Sequence, residues 1–136
     1  LFLLLAPVAG VPVSLAGLPW LLVAMFLVSF ALTGLGFLIA WQLNSSAGFH
    51  AIMNLFLIPM WLLSGSLFPA SGAHTWMVWV MRLNPLTYGV TAIRQGLYWA
   101  GGPVDWAAMI VTAGFAVVMF GVSLWAAQRT TKGDLQ

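Results

Sequence analysis

Leu62-Leu63-Ser64-Gly65-Ser66-Leu67-Phe68-Pro69 and, fifteen residues on, Asn84-Pro85-Leu86-Thr87-Tyr88 with Arg94 decide how this chain folds. Both stretches place polar and helix-breaking residues, in a defined order, inside a sequence that is otherwise apolar. A bilayer tolerates interrupted backbone only where protein or water covers its polar groups. The interval 64–104 therefore does something other than simply span.

The surrounding composition sets the class. The chain has 136 residues, of which 62% are hydrophobic and 4% charged, and its mean hydropathy is +1.05. A soluble domain carries roughly 25% charged residues, so this chain cannot clothe a water-facing surface and belongs in a membrane. Its length suits one domain. A net charge of +2, from four basic and two acidic residues, is too small a footprint for nucleic acid. The absence of cysteine excludes disulfides, thiolate metal sites and cysteine nucleophiles. The sequence has no carboxylate pair, Ser/His/Asp set or metal-ligand cluster, and no G-x-x-x-x-G-K-[ST] phosphate loop, since Lys132-Gly133 does not complete one.

Tryptophans mark the spans. Trp20 and Trp41 would lie about 31 Å apart along a helix, and Trp106 and Trp125 about 28 Å. Both intervals match a hydrocarbon core of about 30 Å, whose two interfaces Trp favours. Spans are expected at 19–41 and 105–127. A shorter one at 47–63 holds His50, Asn54 and Pro59, and Ser64-Gly65 ends it. Leu1 to Ala6 lacks an initiating Met and a positive n-region, so 1–12 reads as a truncated span rather than a signal peptide. Turns fall at Gly10–Gly17 and Gln42–Ser46.

Two short helices are expected between 64 and 104. Trp76, Trp79, Val80 and Leu83 share one face, which suits a helix in the interface. Asn84 then caps a second helix with Pro85 in its first position. Along it Thr87, Tyr88, Thr91, Arg94, Gln95 and Tyr98 form a polar stripe, opposite Leu86, Val90, Ile93 and Leu97. Gly101-Gly102-Pro103 closes it and Asp105 caps the last span. The fold class is thus an all-α membrane protein, a bundle of transmembrane helices with a re-entrant or interfacial helical hairpin before the last span. Arg129 and Lys132 argue for a cytoplasmic tail at 128–136, although Arg82 and Arg94 nearly balance them.

The order Pro59, Leu63-Ser64-Gly65, Phe68-Pro69, Trp-bearing amphipathic turn, Asn84-Pro85-Leu86-Thr87-Tyr88, Arg94, final span and basic tail resembles the C-terminal half of an ABC type-2 exporter permease. The resemblance covers essentially the whole chain. It implies an outer re-entrant element at 64–104 and a cytoplasmic C-terminus, in an integral protein of the bacterial inner membrane. It also implies a dimer with a second permease copy or homologue, with ABC ATPase partners. ATP and Mg would sit on that partner, leaving this chain without a cofactor or catalytic residue. The function implied is alternating-access export of an amphiphilic cargo: drug-like, lipid or glycan. A glycan or respiratory-assembly member of the same family, or a structural membrane subunit without a transport path, are the rival readings.

The re-entrant motif comprises Ser64, Gly65, Phe68, Pro69, Asn84, Pro85, Tyr88 and Arg94. Arg94 reads as an anchor for the re-entrant helix, on a carboxylate, helix carbonyls or lipid phosphate, with contact to an anionic cargo as the sharper reading and snorkelling as the plainer one. Asn54 faces a pathway or another helix, as polar groups at membrane depth do. Thr33 and Thr91 are further pathway or packing candidates; Ser29 and Thr33 also suit bonds back to their own helix. Ala108, Thr112 and Ala116 form a small-residue packing ridge. His50 and His74 fall on opposite membrane sides, and Met53/Met60 and Met77/Met81 suit apolar filling better than a soft-metal site.

Overall fold

A computed structural model describes residues 8, 10, 13–43, 45–67 and 72–133. Most of the expected segment 1–12, and Phe68 and Pro69 of the first motif, lie outside the described residues. A 3-10 turn at Leu15–Gly17 leads into α1 (Leu18–Trp41); α2 (Ser46–Leu62), α3 (Thr75–Leu83), α4 (Pro85–Leu97) and α5 (Trp106–Gly133) follow. The expected all-α architecture is observed. Two helical stretches, Leu15–Trp41 and Trp106–Arg129, are long and apolar enough to cross a membrane. At 17 residues α2 is about 25 Å long, short of a full hydrocarbon core.

Local chemistry explains the boundaries. Pro19 stands in the first turn of α1, where a missing N–H costs nothing. The Ser45 hydroxyl accepts from Gly48 N at 3.4 Å and starts α2. Gly65 follows the end of α2 with φ +78°, a left-handed conformation that glycine adopts without steric penalty. Asp105 caps α5 as its spacing predicts, its Oδ1 accepting from Ala108 N at 3.2 Å.

α1 and α5 run parallel. Trp20 meets Trp106 edge to face at 5.1 Å, and further along Phe30 lies 5.4 Å from Phe120. Deeper still, Ser123 Oγ donates to the Gly34 carbonyl at 2.9 Å. α4 lies against both, antiparallel to α1: Pro85 and Leu86 sit beside Leu32, whereas Gly96 abuts Leu21 and Gly17. The Trp20 indole N–H ties the pair by donating to the Ala92 carbonyl at 3.1 Å.

The core between these three helices is centred on small side chains, with Leu21 and Met109 as its larger buried members. Ala24, Ala92 and Ala108, one from each helix, are fully buried beside Met109. The predicted ridge of Ala108, Thr112 and Ala116 is buried too. Small residues suit a bilayer, where lipid tails are as apolar as leucine and helices associate through close packing. Large side chains instead point outward: Phe26, Ile110 and Val117 are all well exposed, which suits a lipid-facing surface.

On α4 the hydrophobic stripe expected at Leu86, Val90, Ile93 and Leu97 is only half-buried. The buried face is Gly89, Ala92 and Gly96. Volume, rather than hydrophobicity, selects the packed face here. A Cβ at Gly89 would come within 2.6 Å of Val28 Cγ2, and one at Gly96 within 2.8 Å of Leu21 Cα.

Candidate functional site: the junction at the broken helix

The two sequence motifs meet. Where α2 stops, carbonyls at its end and just beyond lose their helical donors, and Asn84 together with residues along α4 replaces them. In a continuing helix Ser64 N would bond to the Met60 carbonyl; it turns instead to Trp61 O at 3.2 Å. The freed Met60 carbonyl accepts from Asn84 Nδ2 at 2.7 Å. Thr87 Oγ1 donates to the Leu63 carbonyl at 3.4 Å, and Arg94 Nη2 to the Ser66 carbonyl at 3.1 Å. The hydroxyls of Ser64 and Ser66 both reach the Trp61 carbonyl, at 2.6 and 3.1 Å. The capping Asn84 and two donors within α4 thus serve three carbonyls at a three-residue spacing.

Asn84 works in two directions. Its Oδ1 accepts from Leu86 N at 3.0 Å and caps α4, while its Nδ2 holds α2. Pro85 beside it needs no donor partner, because it has no N–H. Tyr88 closes the corner by donating its hydroxyl to the Arg82 carbonyl, at 2.9 Å, in the last turn of α3. Asn84 and Ser64 are buried. Their polar groups are satisfied, as membrane depth requires.

The junction lies midway along α1: Pro85 is level with Leu32, about 18 Å along α1 from the Trp20 ring. α4 returns from there to the level of Leu21, so it runs beside about half the length of α1. A cleft of about 290 Å³ opens at this level, lined by Pro59, Met60, Leu63, Val80, Leu83, Asn84 and Pro85. A second cleft of about 320 Å³ lies between the far halves of α1 and α5, lined by aromatic rings including Phe30, Phe37 and Phe120 together with Thr33.

The remaining candidates separate. Thr33 Oγ1 and Thr91 Oγ1 each donate to the carbonyl four residues back, at 2.8 Å, so neither offers its proton to a ligand. Asn54 lies on the exposed side of α2, a helix with no buried residue. Arg94 is exposed apart from its bond to Ser66, and Asp105 caps a helix rather than pairing with it. Arg82 stands 5.9 Å from the Trp79 ring and Arg129 3.8 Å from that of Trp125, cation–π arrangements suited to an interface. Among the described residues no group of three His, Cys, Asp or Glu could hold a metal ion. The seam of Gly17, Gly89 and Gly96 was the element that a stripe of polarity does not reveal; the spacing of small residues along 89–96 is its sequence signal.

An all-α bundle with two helices long and apolar enough to cross a membrane, and a short helix bonded to the end of another, is the architecture of an all-α membrane protein. The sequence matches the family model described as ABC-2 type transporter over residues 1–98, and the chain belongs to that family. Membership assigns it to the membrane component of an ABC transporter. No curated protein and no solved structure matches the chain.

Proposed function

We propose that this chain is the C-terminal part of the transmembrane domain of an ATP-driven exporter that moves an amphiphilic cargo by alternating access. The observation that carries the reading is the half-length helix α4, docked through Asn84, Thr87 and Arg94 on the broken end of α2, in a member of the ABC-2 transporter family. Such an element lets polar backbone stand at membrane depth without closing the bundle into a plain set of spans. The partners would be an ABC ATPase, carrying ATP and Mg, and a second permease copy or homologue. The membrane would be the bacterial inner membrane, with 64–104 outside and the C-terminus in the cytoplasm. The exposed face of α2 with Asn54, and the cleft beside Thr33, are where a pathway wall would lie. Their aromatic and aliphatic lining suits a cargo with a large apolar part: a drug, a lipid or a lipid-linked glycan.

The test is reconstitution of the whole permease with its ATPase in liposomes, following ATP turnover and release of a fluorescent amphiphile. The permease should alter the ATPase rate, and amphiphile movement should require ATP. Tight nucleotide binding by this chain alone, or transport that proceeds without ATP, would refute the assignment.

A further inference from the structure

α4 is tied at both ends, by different parts of the chain. At its carbonyl end the Leu97 carbonyl, one of the groups a helix leaves without an internal donor, accepts from the Ser14 main-chain N–H at 3.2 Å. Gly96 lies so near the turn at Leu15–Gly17 that a Cβ on Gly17 would strike its carbonyl. Beside them Gln95 Oε1 accepts from Asp105 N at 3.0 Å. At the other end Asn84 Nδ2 holds the Met60 carbonyl at 2.7 Å, and the Tyr88 hydroxyl holds that of Arg82. The helix between has 13 residues and is about 20 Å long. Sites that far apart act independently unless they share a partner. These two share α4.

We infer that the Ser14–Gly17 turn and the broken end of α2 are energetically coupled, because α4 seats and releases as one unit. A helix of 13 residues is marginal alone, so α4 takes its order from what it packs against. That packing is close along its whole length. Gly89 meets Val28, the fully buried Ala92 gives its carbonyl to the Trp20 indole, and Gly96 meets Leu21 main chain. Where main chain faces main chain, no rotamer change can let one end rise while the other stays seated. Contiguous segments held in this way open cooperatively. The turn ahead of α1 is thereby a positioning element for a junction about 20 Å away. The coupling belongs to the permease without cargo or nucleotide, so it stands or fails separately from the export reading.

Amide hydrogen exchange on the intact permease in lipid nanodiscs tests the coupling from both ends. Ser14→Pro removes the N–H that serves Leu97, and φ at Ser14, −79°, already lies within proline's range. Ser14→Ala keeps that N–H and is the control. Ser14→Pro should speed exchange about fivefold, the effect of one ordinary hydrogen bond, at 63–64 and 86–90 as well as at 95–98. Ser14→Ala should change none of them. Coupling between two sites is reciprocal. Asn84→Ser, which keeps the helix cap and loses the bond to Met60, should therefore speed exchange at 14–18 by a similar factor. In both variants 116–123, at the α1–α5 crossing marked by Phe30/Phe120 and Ser123/Gly34, should exchange as in the parent. A change confined to the substituted end overturns the coupling. So does an equal rise at 116–123, which would mean that the whole bundle had loosened. Either variant decides the matter alone if the other fails to assemble.

Discussion

Replacing Gly96 by alanine tests the seam directly. The added Cβ would stand 2.7 Å from the Leu21 amide nitrogen and 2.8 Å from Leu21 Cα. Non-bonded carbon atoms settle at about 3.5–4.0 Å. Because the obstacle is main chain rather than a rotatable side chain, α1 and α4 must part by about 0.7 Å or more. Overpacking of this kind costs roughly 1–3 kcal/mol, and the better helix propensity of alanine returns at most about 1 kcal/mol. A net loss of about 1–2 kcal/mol is expected, with Ala92 and the Trp20 hydrogen bond disturbed alongside. Gly114→Ala and Gly121→Ala are the controls, since a Cβ at either meets nothing within 4 Å. Both should be neutral or slightly stabilising. Unfolding of the purified protein by SDS in mixed micelles, followed by Trp fluorescence, measures the difference. If Gly96→Ala unfolds at the same SDS fraction as Gly121→Ala, the close approach of α1 and α4 is wrong.

The remaining predictions concern the junction, the spans and topology. Asn84→Ser should retain the helix cap and lose the bond to Met60, costing about 1–3 kcal/mol; Asn84→Ala should lose both and cost about 1 kcal/mol more in the same titration. Equal costs would mean that the cap contributes nothing. Ser123→Ala should cost only about 0.6 kcal/mol, the usual worth of a hydrogen bond between membrane helices; a loss several times larger would show that the α1–α5 crossing depends on it. Arg94→Ala should lower assembled protein, or transport of every cargo, by similar factors, because its guanidinium holds the Ser66 carbonyl; an effect on one cargo with assembly intact makes it a recognition residue. Cysteines at Gly72 and Gly102, where added side chains meet nothing within 4 Å, should both react with an impermeant thiol reagent from outside. Labelling from opposite sides contradicts the outer placement of 64–104.

Much of the architecture is written locally. Trp20/Trp41 and Trp106/Trp125 bracket the spans, because an aromatic amphipathic ring has a preferred depth. Asn84-Pro85 announces a helix start because a side-chain acceptor and a missing N–H both suit a first turn. What could not be read is the pairing. Nothing in Met60 signals that its carbonyl will need Asn84, since that need arises only when Ser64 turns away from the helix. The packed face of α4 was not legible for a different reason: hydrophobicity marks Leu86, Val90, Ile93 and Leu97, but in a lipid solvent the closest contact goes to the least bulky positions. Asn54 shows the same difficulty. Its polarity points towards protein or water, whereas within this chain it faces outward, so what covers it must come from outside these helices.

The glycine seam also governs how this sequence can change. Gly17, Gly89 and Gly96 already hold the smallest residue available, so every substitution at them adds bulk and none can be relieved by trimming the same site. Repair has to come from the facing helix: a shorter side chain at Val28 would make room opposite Gly89. At Gly96, where Leu21 main chain is the obstacle, trimming its side chain relieves only part of the clash. Drift along α4 is therefore one-directional, with its glycine positions nearly frozen, while Thr87, Tyr88 and Arg94, which donate to main-chain carbonyls, can give way to other donors of similar reach.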